Sequence, residues 1–179
     1  VFKVLELMDF AGKDDMEHIA FGMVSMEDGS MSTRQGRVVW LKEVLDKAVE
    51  KARAIIEEKN PNLEDKEKSA ESVGVGAVVF SALWNNRIKD IVFSYDKVLN
   101  FDGETAPYVQ YTYARAASVL RRGDFKNEFS GYAPEFAETE LIRKLSEFEA
   151  TVNRAANEFE PSFISRYALS VCTLFNQFY

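Results

Sequence analysis

From Leu41 onward the apolar residues fall at steps of three and four: Leu41, Val44, Leu45, Ala48, Val49, Ala52, Ile55 and Ile56. Only an α-helix brings such positions onto one face, so the spacing predicts a long amphipathic helix to about Glu58. Pro61 cannot continue it, and Asn60 tolerates the turn that follows. A second helix is expected from about Asp65 to Trp84, where Gly74 and Gly76 sit beside Val73, Val75 and Val78 and permit close backbone approach. Pro107 opens and Gly123 closes a further helix, "YVQYTYARAASVLRRG". One more amphipathic helix is expected over "AETELIRKLSEFEATVNRAANEF", residues 137–159, and a last one in "SFISRYALSVCTLFNQFY" after Pro161. Helices of this length joined by short polar breaks pack as a bundle.

The first 40 residues follow a different pattern. "FKVLELM" suits the end of a helix, and "DFAGKDD" a connection. "MEHIAFGMVSM", residues 16–26, is predicted to be a strand, as is "RVVWL" at 37–41. Between them lies "EDGSMSTRQGR", which looks too long and polar for a two-residue hairpin. "DIVFSYDKVL" at 90–99 is strand-like, and the turn-rich stretch around Phe101 to Pro107 marks a seam. The order is a small β-containing piece followed by helices. The opening "VFKVLELM" reads as the inside of an amphipathic element, so the chain is expected to belong to a longer protein.

Composition narrows the chemistry. With 46% apolar and 28% charged residues, this is the composition of a globular protein with a sizeable core. No window reaches the roughly 18 consecutive apolar residues of a membrane helix. One cysteine, Cys172, rules out an internal disulfide framework and fits a reducing, cytoplasmic setting. One histidine and one cysteine cannot assemble a Cys/His zinc site. A serine triad would have to use His18, with no nucleophile-elbow motif beside it.

Net charge is −7, yet it is distributed unevenly. Residues 107–127 carry Arg115, Arg121, Arg122 and Lys126 against Asp124 alone, whereas 128–160 is rich in glutamate. A local basic patch binds phosphate even on an acidic protein, because fields fall off within about 10 Å at moderate salt. Tyr108, Tyr111, Arg115, Ser118 and Arg122 share one helical face, with Val109, Tyr113, Ala116 and Leu120 expected to face the bundle core. Rings beside guanidinium groups suit unstacked RNA bases and phosphates; tyrosines on bundle helices also simply cap a core.

The loop at 27–37 lacks the Gly-Lys-Ser/Thr ending of a P-loop. It does offer amides at Gly29 and Gly36, hydroxyls at Ser30, Ser32 and Thr33, and the Arg34 guanidinium. That set can hold a phosphate chain or serve only as a polar surface loop.

"HIAFGMVSMEDGSMSTRQGRVV" resembles the KMSKS-loop region of arginyl-tRNA synthetases, which are class I aminoacyl-tRNA synthetases. "VGVGAVVFSALWNNRIKDIVFSYDKVLNFDGETAPYVQYTYARAASVLRR" resembles the same family, and together the two stretches span nearly the whole chain. The resemblance implies that Met31, Ser32, Thr33 and Arg34 form the catalytic loop that steadies the triphosphate of ATP. It also implies that His18, Phe21, Gly22 and Met23 shape the nucleotide pocket without proton transfer, and that Tyr108, Tyr111, Arg115 and Arg122 contact tRNA. Ser30 and Thr33 stand where the general motif has lysines, and Gln35 replaces a lysine often found after "MSTR". The positive charge must then come from Arg34, Arg37 or residues outside this chain.

The expected fold is mainly α: a helical bundle of the class I synthetase anticodon-binding type. Before it stands a small α/β piece at the C-terminal edge of a Rossmann-type catalytic domain. Expected divisions are 1–45 (catalytic edge with loop), 46–104 (helical connecting region) and 105–179 (anticodon-binding domain, incomplete). The resemblance implies an arginine–tRNA ligase using ATP with Mg2+ as substrate, tRNA(Arg) and L-arginine, the arginine pocket lying mostly outside this chain. It implies no structural metal and no membrane partner. The family's His-x-Gly-His is not in these 179 residues, so the chain alone is expected to be inactive. Alternatives are a non-catalytic helical RNA- or protein-binding module, or part of another class I synthetase such as the cysteinyl enzyme.

Overall fold

The computed structural model describes residues 1–10, 12, 15–27, 29–30, 39–123 and 131–179. Helix α1 spans Phe2–Leu7, and strands β1 (Val24–Met26) and β2 (Gly29–Ser30) follow. Helices α2 (Leu41–Lys59) and α3 (Lys66–Trp84) then lead to β3 (Ile91–Phe93) and the short α4 (Tyr95–Val98). The C-terminal part holds α5 (Ala106–Arg122), α6 (Phe136–Ser146), α7 (Phe148–Asn157) and α8 (Ser162–Phe178). The architecture is mainly helical with one small sheet, as the period of the apolar residues requires.

Helices α2 and α3 pack closely because their shared face is built from small residues. Ala48, Ala52, Ala70 and Ala77 are buried there. At Gly74 a Cβ would stand 2.6 Å from the Val49 Cα, so only glycine admits this approach. Ion pairs Arg53–Glu67 and Lys66–Glu57 flank the contact on its exposed side. Ala52 and Ala77 continue into a core with Phe93, Val98, Leu99 and Ala106. That core joins α2, α3, β3, α4 and the first turn of α5, and so crosses the seam.

Three expectations for the sheet are corrected. First, only Val24–Met26 of the 16–26 stretch is strand. Upstream, the backbone is held by turn and side-chain groups rather than a ladder: the Gly22 amide donates to Arg87 O at 2.6 Å, and the Met23 amide to Asp90 Oδ1 at 2.7 Å. Second, no strand forms at 39–41: Trp40 is extended, and Leu41 already starts α2. Residues 37 and 38 lie outside the described residues. Third, the loop begins as a hairpin after all. Met26 pairs with Gly29 and Ser25 with Ser30, antiparallel, leaving two residues between the strands. Gly29, the first residue of β2, adopts a positive φ of 129° just after this turn, and "EDGS" carries the turn-forming residues that the polar run behind it obscures. On its other side β1 pairs with β3 in parallel, Val24 opposite Ile91. The strand-like 90–99 stretch thus divides into a three-residue strand and the turn of α4.

The helix expected over 137–159 is two helices. Glu147 (φ −78°, ψ −3°) ends α6 and begins α7. The break leaves the apolar period almost intact, which is why spacing alone did not reveal it. The Tyr167 hydroxyl of α8 donates to Leu145 O at 3.2 Å beside the break, and the Tyr167 ring lies 5.8 Å from that of Phe148. Helix α8 is central, packing against α3, α5, α6 and α7.

Candidate functional site

Two regions gather the side chains singled out in the sequence. The first is the segment entering β1. His18, Phe21 and Met23 are exposed, with Phe21 81% accessible. Gly22 sits against the 87–90 turn: a Cβ there would lie 2.2 Å from Lys89 O and 2.4 Å from Lys89 C. Its glycine is therefore required by backbone packing. The pairing continues with the Ile91 amide donating to Met23 O at 2.9 Å. Residues 31–34, the expected catalytic loop of Met31, Ser32, Thr33 and Arg34, lie outside the described residues.

Arg87 anchors this segment. Its Nη1 donates to Ala20 O at 3.1 Å, its Nε to Phe159 O at 2.9 Å and its Nη2 to Glu158 O at 3.4 Å. Its backbone amide donates to Glu160 Oε2 at 3.3 Å. Phe159 adopts φ 51°, the left-handed region. Glu160 is only 5% exposed and also accepts from the Ser162 amide at the start of α8, at 3.3 Å. Burial pushes its carboxyl up, but neighbouring groups outweigh burial and hold it below the usual 4.5. They are the nearby Ser162 hydroxyl, the Arg87 and Ser162 amides and the Arg87 charge. The Ser162 hydroxyl itself falls short of full hydrogen-bond geometry. Next to this junction the Ser165 hydroxyl donates to Leu83 O at 3.2 Å, and the Arg166 guanidinium stands 5.8 Å from the Trp84 ring.

The second region lies between α5 and α8. Arg115 donates through Nη1 to Asn176 Oδ1 and through Nη2 to the Tyr111 hydroxyl, each at 3.0 Å. Its guanidinium lies 4.7 Å from the Tyr111 ring and 4.9 Å from the Tyr179 ring. Asn176 Nδ2 donates to the Tyr108 hydroxyl at 3.0 Å and to Thr112 Oγ1 at 2.9 Å. Tyr108, Tyr111 and Arg115 thus form one network. Arg122, at the exposed end of α5, is not part of it. Tyr108, Tyr111, Arg115 and Asn176 also line one end of a mostly apolar cavity of about 790 Å³ that reaches Ile55 and Phe101.

The expected core stripe on α5 is corrected. Tyr113 and Leu120 are 75% and 65% exposed, whereas Thr112 is buried and Tyr108 and Arg115 half-buried. The polar face packs on α8 because Asn176 meets its hydroxyls there, leaving Tyr111 (56% exposed) at the rim. Sequence reasoning missed Asn176, Tyr179, Arg87 and Glu160. Asn176 stands, with Gln177, as one of two adjacent amides in the apolar run "VCTLFNQFY"; the Arg87 contacts join residues about 70 positions apart and left no local signal.

A family model described as tRNA synthetases class I (R), catalytic domain, matches residues 1–95, more than half of the chain. The chain belongs to the class I arginyl-tRNA synthetase family. A second model, the DALR anticodon binding domain, matches residues 109–179. The arginine–tRNA ligase of Halothermothrix orenii is 49% identical over 99% of this chain, and that of Clostridium beijerinckii 45% identical over all of it. The chain spans about a third of the length of these curated relatives, 32% in each case. The solved Thermus thermophilus arginyl-tRNA synthetase superposes with a TM-score of 0.87 at 36% identity, over 99% of this chain and 30% of that one. The Plasmodium falciparum arginyl-tRNA synthetase, 24% identical with a TM-score of 0.76 over 99% of this chain and 31% of that one, shares the fold. Within this chain, Arg87 falls in the catalytic-domain match and its partners Glu158 to Glu160 in the anticodon-domain match.

Proposed function

We propose that this chain is the ATP-loop and tRNA-binding part of an arginine–tRNA ligase. The observation that carries the reading is the pair of family matches in one chain, catalytic over 1–95 and anticodon-binding over 109–179. In the reaction, the arginine carboxylate attacks the α-phosphorus of ATP and the bond to the β-phosphate oxygen breaks. Pyrophosphate leaves, and a ribose hydroxyl at the tRNA end then takes the arginyl group and releases AMP. The loop of Met31, Ser32, Thr33 and Arg34 steadies the phosphates as charge develops on pyrophosphate, the hydroxyls and the guanidinium donating, with Mg2+ accompanying the ATP. His18, Phe21, Gly22 and Met23 border the nucleotide.

Tyr108, Tyr111 and Arg115 present rings and a guanidinium edge to tRNA(Arg), and Arg122 adds a phosphate contact. The divisions are 1–45, 46–104 and 105–179, L-arginine is held mostly by residues outside this chain, and the setting is cytoplasmic. No helix among the described residues is long and apolar enough to cross a membrane.

Two measurements test the reading. The purified 179-residue chain should bind tRNA(Arg) yet show no ATP–pyrophosphate exchange above background, since His-x-Gly-His is absent from it. Exchange by the chain alone would overturn the assignment of chemistry to residues beyond it. Binding that does not weaken with salt would overturn the RNA role.

A further inference from the structure

We propose that Arg87 is a positioning residue that fastens the nucleotide-bordering segment, residues 18–23, to the α7–α8 turn of the anticodon-binding bundle. The ATP consequence rests on the function proposed above; the fastening itself does not. Four observations carry it.

A single guanidinium donates to carbonyls from both matched regions, Ala20 O on one side and Glu158 O and Phe159 O on the other. The Arg87 carbonyl accepts the Gly22 amide at 2.6 Å, so the 20–22 segment is gripped at both ends of one residue. The Arg87 amide is in turn fixed by Glu160, a buried carboxylate that also holds the first turn of α8. Finally, Phe159 carries φ 51°, a conformation disfavoured for a non-glycine residue and retained where surrounding contacts over-determine it. Its carbonyl is one of those that Arg87 holds.

Only a planar fork with several donors can meet three carbonyls this way. A lysine offers the charge at a single point. A shift of the α7–α8 turn is therefore transmitted to Ala20 and Gly22, whose neighbours Phe21 and Met23 stand exposed.

The test uses amide hydrogen exchange on the 179-residue chain with Arg87→Met, Arg87→Lys and Glu160→Gln, and Arg143→Met on the exposed face of α6 as control. Arg87→Met and Arg87→Lys should each speed exchange at Gly22 and Ile91 about tenfold, with amides inside α2 and α5 unchanged. Glu160→Gln should also speed exchange at Gly22, but add nothing once Arg87→Met is present, because both act through one connection. Unchanged exchange at Gly22, full protection in Arg87→Lys, or independent multiplying effects would each overturn the fastening.

A second arm measures steady-state kinetics of the full-length ligase containing this segment. Arg87→Lys should raise KM for ATP about fivefold to tenfold while leaving KM for arginine unchanged. Faster exchange with an unaltered KM for ATP would overturn the positioning role at the nucleotide and count against placing residues 18–23 beside ATP. Unchanged exchange overturns the fastening whatever the kinetics.

Discussion

Arg115 reaches Asn176 across the α5–α8 contact at 3.0 Å, while its other nitrogen holds the Tyr111 hydroxyl. The residue expected to meet RNA is thus already oriented by the bundle, with its guanidinium carbon 4.7 and 4.9 Å from two ring centroids.

Orientation and charge should separate in binding measurements. Arg115→Lys keeps the charge but loses the fork that meets Asn176 and the Tyr111 hydroxyl, so tRNA affinity should fall about tenfold with the salt slope nearly unchanged. Arg122→Ala, at an exposed position, should reduce the slope of log affinity against log salt by about one. Filter binding at four salt concentrations distinguishes the two.

Gly22→Ala should destabilise the chain by about 1–3 kcal/mol in urea unfolding. The added methyl meets Lys89 backbone atoms at 2.2 and 2.4 Å, and a backbone cannot rotate away as a side chain would. Wild-type stability in that variant would show the segment to be free of the 87–90 turn.

What the sequence disclosed and what it concealed follow one physical division. Helices α2, α3, α5 and α8 were legible because each depends on local spacing and stop residues such as Pro61 and Gly123. The break at Glu147 was not, because a single ψ near zero hardly disturbs the apolar period. The 16–23 segment looked like a strand, yet its partner is a turn some 65 residues later, where a side-chain carboxylate replaces a ladder carbonyl. The Tyr108, Tyr111 and Arg115 cluster was readable from helical steps. Its orientation was set by Asn176 on another helix, which no local pattern carries.

Acid should loosen the Arg87 junction. The Glu160 carboxyl is held below the usual 4.5 in the folded chain, so its ionised form stabilises folding fully above that value. The contribution is lost as pH falls from 4.5 through the lower folded value. Urea midpoints measured against pH should therefore drop more steeply below pH 4.5 in the wild type than in Glu160→Gln. Parallel acid limbs would remove Glu160 from the account.

Cys172 provides a reporter of the α5–α8 contact. It is buried, and burial pushes its thiol above the usual 9.0 although Thr112 acts in the opposite direction. Alkylation at neutral pH should be slow in the native chain. Asn176→Ala, one helical turn away, should raise the rate severalfold by opening the contact with Tyr108 and Thr112. An iodoacetamide time course followed by mass spectrometry reads this directly.

Among the described residues, the core that runs from Ala52 and Ala77 into Ala106, together with Leu83 and Trp84 held against α8, joins the two matched regions. The catalytic-domain match and the anticodon-domain match meet in this chain across a shared core rather than a bare linker. An anticodon bundle grafted here from another synthetase would have to bring its own answer to Arg87. Exchange of that bundle is therefore constrained by the carbonyls it must present to Arg87 as well as by its own packing.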